Sequence, residues 1–144
     1  MKKILLTGLF LLTLTIYSYA QEWMTVNQAT IAWDAVTRLS DNSSIPPDNI
    51  IEYTVYLANA LTDPGKEHPI TVETVNGTEC TVTLTEEGRY FVGVKAIRRL
   101  ADGTLVSESI IGWSDDPAIA YEGNTFGLQY FLPPMRPSGL KPLN

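Results

Sequence analysis

The stretch Thr81–Ala96, TVTLTEEGRYFVGVKA, decides the fold. It reads as strand, tight corner, strand. Val82 and Leu84 alternate on the first strand, and Tyr90, Val92, Val94 and Ala96 alternate on the second. Glu86, Glu87 and Gly88 make the corner. Successive side chains of a strand point to opposite sides of the pleat, so apolar residues at every second position mark a strand with one buried face. A tyrosine that opens the second strand directly after such a corner matches the tyrosine corner of two-sheet sandwiches, whose hydroxyl ties back to nearby backbone.

Upstream of this unit, Cys80 keeps step with Val82 and Leu84, so it points into the core as a small hydrophobe. It is the only cysteine, so no internal disulfide can form and packing alone holds the fold. Ile70–Val75 reads as a weaker strand, followed by Asn76-Gly77, the strongest short hairpin signal. Ile51–Ala58, IEYTVYLA, is a strand with Ile51, Tyr53, Val55 and Leu57 inward and Thr54 and Tyr56 outward. Thr62-Asp63-Pro64-Gly65 is a turn. Ala29–Val36, ATIAWDAV, places Ile31, Trp33 and Ala35 on one face, with Trp33 the largest contribution to the core. Arg38–Asn49 is polar, carries Pro46 and Pro47, and reads as a loop. Gln21–Asn27 is a lead-in that supplies a first edge strand. Downstream, Arg98–Thr104 reads as a loop and Leu105–Trp113 as the last strand, stopped by Asp115-Asp116-Pro117. Six or seven strands result, with almost no helical periodicity after residue 20 and no internal repeat. The expected domain covers residues 21–118, and residues 119–144 form a C-terminal extension rich in proline and aromatic residues.

These strands together resemble a fibronectin type III domain over roughly Thr25–Pro117. The resemblance rests on Ile31-Ala32-Trp33-Asp34, on Tyr53-Thr54-Val55, and on Leu84 followed after five residues by Tyr90 and then Val92, Val94 and Ala96. Ser107–Trp113 followed by Ser114-Asp115 is similar to the closing strand of such domains. Glu86 stands where the family's corner usually carries proline. The resemblance implies an all-β, seven-stranded antiparallel immunoglobulin-like sandwich with Greek-key connections. It also implies that the fourth and fifth strands lie in opposite sheets, whereas an Asn76-Gly77 hairpin would pair them in one; the family arrangement is expected. Trp33, Tyr53, Leu84 and Tyr90 are the expected structural core. The fold implies no single activity.

Residues 1–20, MKKILLTGLFLLTLTIYSYA, read as an export signal: Lys2 and Lys3, then an apolar run to Ile16, then Ser18-Tyr19-Ala20 at the cleavage site. The apolar run falls short of the roughly 20 residues that span a bilayer. The chain is therefore expected to be exported to the periplasm, cell surface or medium, to be bacterial, and to be no integral membrane protein after cleavage. Cutting the 20 leader residues from 144 leaves 124, and losing Lys2 and Lys3 from 10 basic residues leaves 8 against 16 acidic, a net charge of −8. So acidic a chain is a poor partner for nucleic acid.

No catalytic set is legible. His68 is the only histidine and stands in a turn-rich segment. Cys80 points inward and cannot pair with it. Glu86-Glu87 and Asp115-Asp116 are adjacent carboxylates whose side chains point apart, poor geometry for acid/base work. Asp115, Asp116 and Glu122 could form a surface calcium set but lack an EF-hand-like loop. No enzyme activity, cofactor or metal is expected.

The unusual feature is the tail. Phe126, Leu128, Tyr130 and Leu132 alternate in FGLQYFL and read as a strand, and Pro133-Pro134-Met135-Arg136-Pro137 reads as polyproline II. In the type III arrangement the strands carrying Tyr56 and Phe91 are neighbours, so Tyr56, Phe91 and Ile97 would form an outward apolar patch. Three fates compete for the tail: folding back over that patch, recognising a partner, or remaining a disordered end. Arg98 and Arg99 add a positive spot to the expected loop. The candidate binding residues are therefore Tyr56, Phe91, Arg98, Arg99, Trp113, Phe126, Tyr130 and Phe131. The expected function is a non-enzymatic module that binds another protein or serves envelope or surface assembly. The alternative is a carbohydrate-binding module that stacks sugars on Tyr56, Phe91 and Trp113.

Overall fold

Alternation turns into two sheets facing each other across one core. The structure, a computed structural model, describes residues 21–142, so the expected export signal lies outside the described residues. The strands are β1 (Glu22–Thr25), β2 (Gln28–Ala32), β3 (Asn49–Asn59), β4 (Ile70–Val75), β5 (Glu79–Thr83), β6 (Gly88–Leu100), β7 (Leu105–Glu108), β8 (Gly112–Trp113) and β9 (Phe126–Tyr130), with a short 3-10 turn at Tyr121–Gly123. The larger sheet has seven strands. Its main path is β1-β9-β6-β3-β4, and β7 and β8 also pair with β6. The second sheet is β2-β5 alone. The fold is all-β and sandwich-like.

The core is the predicted alternation made solid. Val55 and Leu57 of β3, Tyr90 and Val92 of β6, and Leu128 of β9 meet Ile31 of β2, Cys80 and Val82 of β5, and Leu84. Val55, Val82 and Leu128 have no exposed surface. Burying a side chain of this size stabilises the fold by about 1.5–3 kcal/mol. The expected inward faces of β3, β5 and β6 are thus observed. β4 and β5 lie in different sheets, so Asn76-Gly77 carries the chain from one sheet to the other and closes no hairpin.

The corner behaves as its sequence suggests. The Tyr90 hydroxyl donates to the Glu86 carbonyl at 3.2 Å, and the ring is buried. Tyr90→Phe keeps the ring and removes one hydrogen bond, so it should cost about 0.5–1.5 kcal/mol in urea unfolding. An unchanged midpoint would mean that the bond contributes nothing.

The structure also differs from the sequence reading in several places. The expected seven antiparallel strands are nine among the described residues, and β1 runs parallel to β9, with Trp23 opposite Gly127 and Met24 opposite Leu128. The expected strand over Ala29–Val36 stops at Ala32. Trp33 still donates its backbone N–H to the Thr78 carbonyl, but its ring is only partly buried and tilts over Tyr53 at 5.4 Å. Tyr53 is buried, and its hydroxyl accepts from the Val36 N–H at 2.8 Å, so the chain leaves the sheet here to bond a side chain instead. The expected loop from Arg98 is strand to Leu100, because β3 pairs one side of this segment and β7 the other.

The last expected strand is interrupted. Ser114 donates its N–H to the Val92 carbonyl, and its hydroxyl accepts from the Val92 N–H. The chain then loops out, and Phe126 rejoins by donating its N–H to the Ser114 carbonyl at 3.0 Å. β9 thereby continues along the same side of β6, with Tyr90 opposite Leu128. The boundary drawn at residue 118 falls inside this loop.

Cys80 is 4% exposed, and burial, reinforced by Glu73 whose carboxylate lies 3.8 Å from Sγ, pushes its thiol above the usual range. A thiol-reactive disulfide reagent at pH 8 should leave the folded protein unmodified and titrate one thiol per chain in denaturant, because only the thiolate reacts. Fast labelling of the folded chain would contradict the buried position.

Candidate functional site

Three surfaces contain the residues singled out in the sequence. The first is the outer face of the larger sheet. Alternation along β6 sends Phe91, Gly93, Lys95, Ile97 and Arg99 outward, and the register sets Tyr56 and Trp113 on either side of Gly93. A Cβ on Gly93 would lie 2.7 Å from the Trp113 ring, and one on Gly127 would lie 2.5 Å from the Trp23 ring. The two indoles therefore lie flat on bare backbone. Trp23 also meets Phe91 at 5.6 Å.

Cations cap this aromatic row. Lys66 Nζ sits 5.0 Å from the Phe91 ring centre and 5.7 Å from that of Trp113. Lys95 lies over Tyr56 at 5.6 Å and Arg89 over Trp23 at 5.2 Å. Each such contact contributes about 0.5–1 kcal/mol at a partly exposed site. Lys66 reaches the face from the β3–β4 loop, where Asp63 accepts the backbone N–H groups of Glu67 and His68. Its ammonium pairs with Asp115 at 2.6 Å, and Lys95 pairs with Glu108 at 2.9 Å. The Glu108 carboxylate, more than Tyr56, holds the Lys95 ammonium above its ordinary pKa. Ile97 is only 6% exposed. The expected apolar patch is thus filled by the protein's own indoles and cations. Sequence periodicity showed Tyr56 and Phe91 facing out but missed Trp23, Lys66 and Arg89. The local signal was Gly93 and Gly127, glycines inside strands, which mark close approach of another group.

The second surface is the tail. Phe126 and Tyr130 pack against the core as part of β9, so neither is a free binding residue. Phe131–Pro142 has no regular structure and every residue is exposed, with Phe131 at 49%, Leu132 at 63%, and Met135 and Leu140 above 90%. The Leu132 N–H donates to the Glu87 carboxylate, the last bond that ties the tail to the body among the described residues.

The third surface is a cleft between the sheets. Arg98 and Arg99 do not form one positive spot, because neighbours on a strand point apart. Arg99 faces outward and pairs with Glu52 at 2.7 Å. Arg98 faces the inner side, where its guanidinium donates to the Asn49 side chain. Beside it, β2 covers only part of the larger sheet, and a cleft of about 490 Å³ remains over Val94 and Ala96 of β6 and Phe126 of β9.

For chemistry, His68 is exposed on the β3–β4 loop, well separated in role from buried Cys80. Asp115 is engaged by Lys66, and Asp116 accepts the Ala118 N–H, so two of the three carboxylates weighed as a calcium set are engaged by the protein itself. Among the described residues no group of three or more metal-ligating side chains converges. No helix among them is long and apolar enough to cross a membrane. Comparison with protein-family models, characterised proteins and solved structures finds no match to this chain.

Proposed function

We propose that the chain is an exported, fibronectin type III-like module that binds another protein, or joins an envelope or surface assembly, without enzymatic activity. The observation that carries this reading is the tail: Phe131, Leu132, Met135 and Leu140 are presented to solvent on a segment anchored by β9, whose Leu128 is fully buried. Exposed apolar side chains gathered on one segment mark an interaction site. Pro133, Pro134 and Pro137 hold that segment extended, which lowers the entropy lost on docking. The membership in the type III family is supported by the Tyr90 corner bond and by the placement of β4 and β5 in separate sheets. The carbohydrate-binding alternative is weakened because Phe91, Trp113 and Tyr56 already carry Lys66 and Lys95 over their rings.

The test compares residues 21–144 with residues 21–132 as baits against envelope and culture extracts. A partner captured by the longer form alone, and lost on Met135→Asp with Leu140→Asp, supports the reading. Capture of one polysaccharide by both forms, abolished by substituting Trp113, overturns it in favour of the alternative.

A further inference from the structure

β1 leaves an opening in the smaller sheet. The chain crosses from one sheet to the other at Val26 and Asn27, and β1 pairs with β9 instead of β2. Among the described residues β2 therefore has β5 on one side and no strand on the other. Asn27 accepts from Leu84, and Trp33 donates to Thr78. Antiparallel bonding alternates along a strand. The odd-numbered residues of β2 therefore bond β5, and the backbone groups of Gln28, Thr30 and Ala32 face the open side. All three residues are exposed.

Among the described residues β1, β4, β7 and β8 of the larger sheet and both β2 and β5 of the smaller one pair on one side only. Of these edges, β2 and β8 border the cleft over the apolar face of the larger sheet, and β2, at five residues against two, is the one long enough to pair with an added strand. The cleft there is floored by Val94, Ala96 and Phe126, and its rim carries Ile110 at 91%, Tyr121 at 78%, Ile119 at 56% and Val36 at 40% exposure. Four large exposed hydrophobics around one groove exceed the scattered exposure of an ordinary surface. Past Val36, Ala96 and Ser109 the cleft runs into a second hollow of about 320 Å³ that contains Arg38 and Arg98. Among the described residues neither arginine forms an ion pair. Of the acids in that hollow, Glu108 is neutralised by Lys95, and Asp41 is turned to Ser43. One end of an apolar groove in an acidic protein is thus cationic.

We propose that the free edge of β2 and the cleft beside it receive one extended strand of a partner protein, apolar at alternate positions and bearing a carboxylate where it reaches Arg38 and Arg98. This deepens the protein-binding reading and rests on it, but uses a surface other than the tail. Added backbone would satisfy Thr30 and Ala32, and every second side chain would fall onto Val94 and Ala96. The charge argues against the tail of a second copy: its ionisable side chains, Arg136 and Lys141, are both cationic.

A display library of random decapeptides, selected on residues 21–144, tests this. The expected result is enrichment of sequences with alternating apolar residues and an acidic residue at one end. A synthetic enriched peptide should slow amide exchange at Thr30 and Ala32. Its affinity should fall at least tenfold with Ile110→Asp and severalfold at low salt with Arg38→Glu, both exposed positions whose substitution leaves the core untouched. Residues 21–132 should bind the peptide equally well. No enrichment, protection at β4 instead, or affinity unchanged by Ile110→Asp would overturn the cleft proposal while leaving tail-dependent capture to decide the wider reading. Concentration-dependent dimers that Ile110→Asp dissolves would also overturn it, assigning the groove to a second copy.

Discussion

A chain ended after Ala118 should lose its cooperative thermal transition. The cut removes β9, and with it Leu128, which has no exposed surface, and the partly buried Phe126 and Tyr130. Replacing one buried leucine by alanine already costs about 2–5 kcal/mol. A domain of this size has only about 5–15 kcal/mol in total. The loss also spreads, because among the described residues β1 pairs with β9 alone: Trp23 and Met24 lose the strand that pairs with them, and the side of β6 that bonds β9 is left bare. Far-UV circular dichroism during heating checks this. The control is residues 21–132, which keep β9 and should melt as residues 21–144 do. A sharp transition for the shorter chain would show that β9 is dispensable and that the domain ends before it.

The second large effect is expected at glycines that look harmless. Gly→Ala within an extended strand ordinarily gains about 0.4–1 kcal/mol, because alanine has less freedom to lose. At Gly127 and Gly93 the sign should reverse. A Cβ on Gly127 would stand 2.5 Å from Trp23, and one on Gly93 would stand 2.6 Å from Ile111 and 2.7 Å from Trp113. Each indole must lift off the sheet, and such overpacking costs about 1–3 kcal/mol. Lifting Trp113 also draws it from Lys66, and lifting Trp23 draws it from Phe91 and Arg89. Gly77→Ala, with nothing within 4 Å of the added carbon, is the control. Urea unfolding should show both strand variants destabilised relative to it, with tryptophan emission shifted to the red. Equal stability of the three would mean that the outer aromatic row packs loosely.

Much of the frame was legible locally. The alternation of Val82, Leu84, Tyr90 and Val92 appears in the core as read, because side-chain period two follows from strand backbone geometry whatever the strand pairs with. The Tyr90 corner was equally local, since donor and acceptor stand four residues apart. Trp33 was misplaced for a physical reason: its face was predicted correctly, but the strand ended early when Tyr53 offered the Val36 N–H a partner. Arg98 and Arg99 were grouped by sequence proximity, and pleating separated them.

By itself, then, the sequence determined which faces are apolar, where the corner lies, and that no internal disulfide can brace the fold. Only the tertiary structure decided which strands meet. Gln129 bonds Thr25 across 104 residues, and β9 returns to β6 after a loop that reads as the end of a domain. Strand pairing at such separation is set by the competition of many registers for one core, and no local pattern encodes its outcome. The same competition drew β1 away from β2 and left the cleft open beside it.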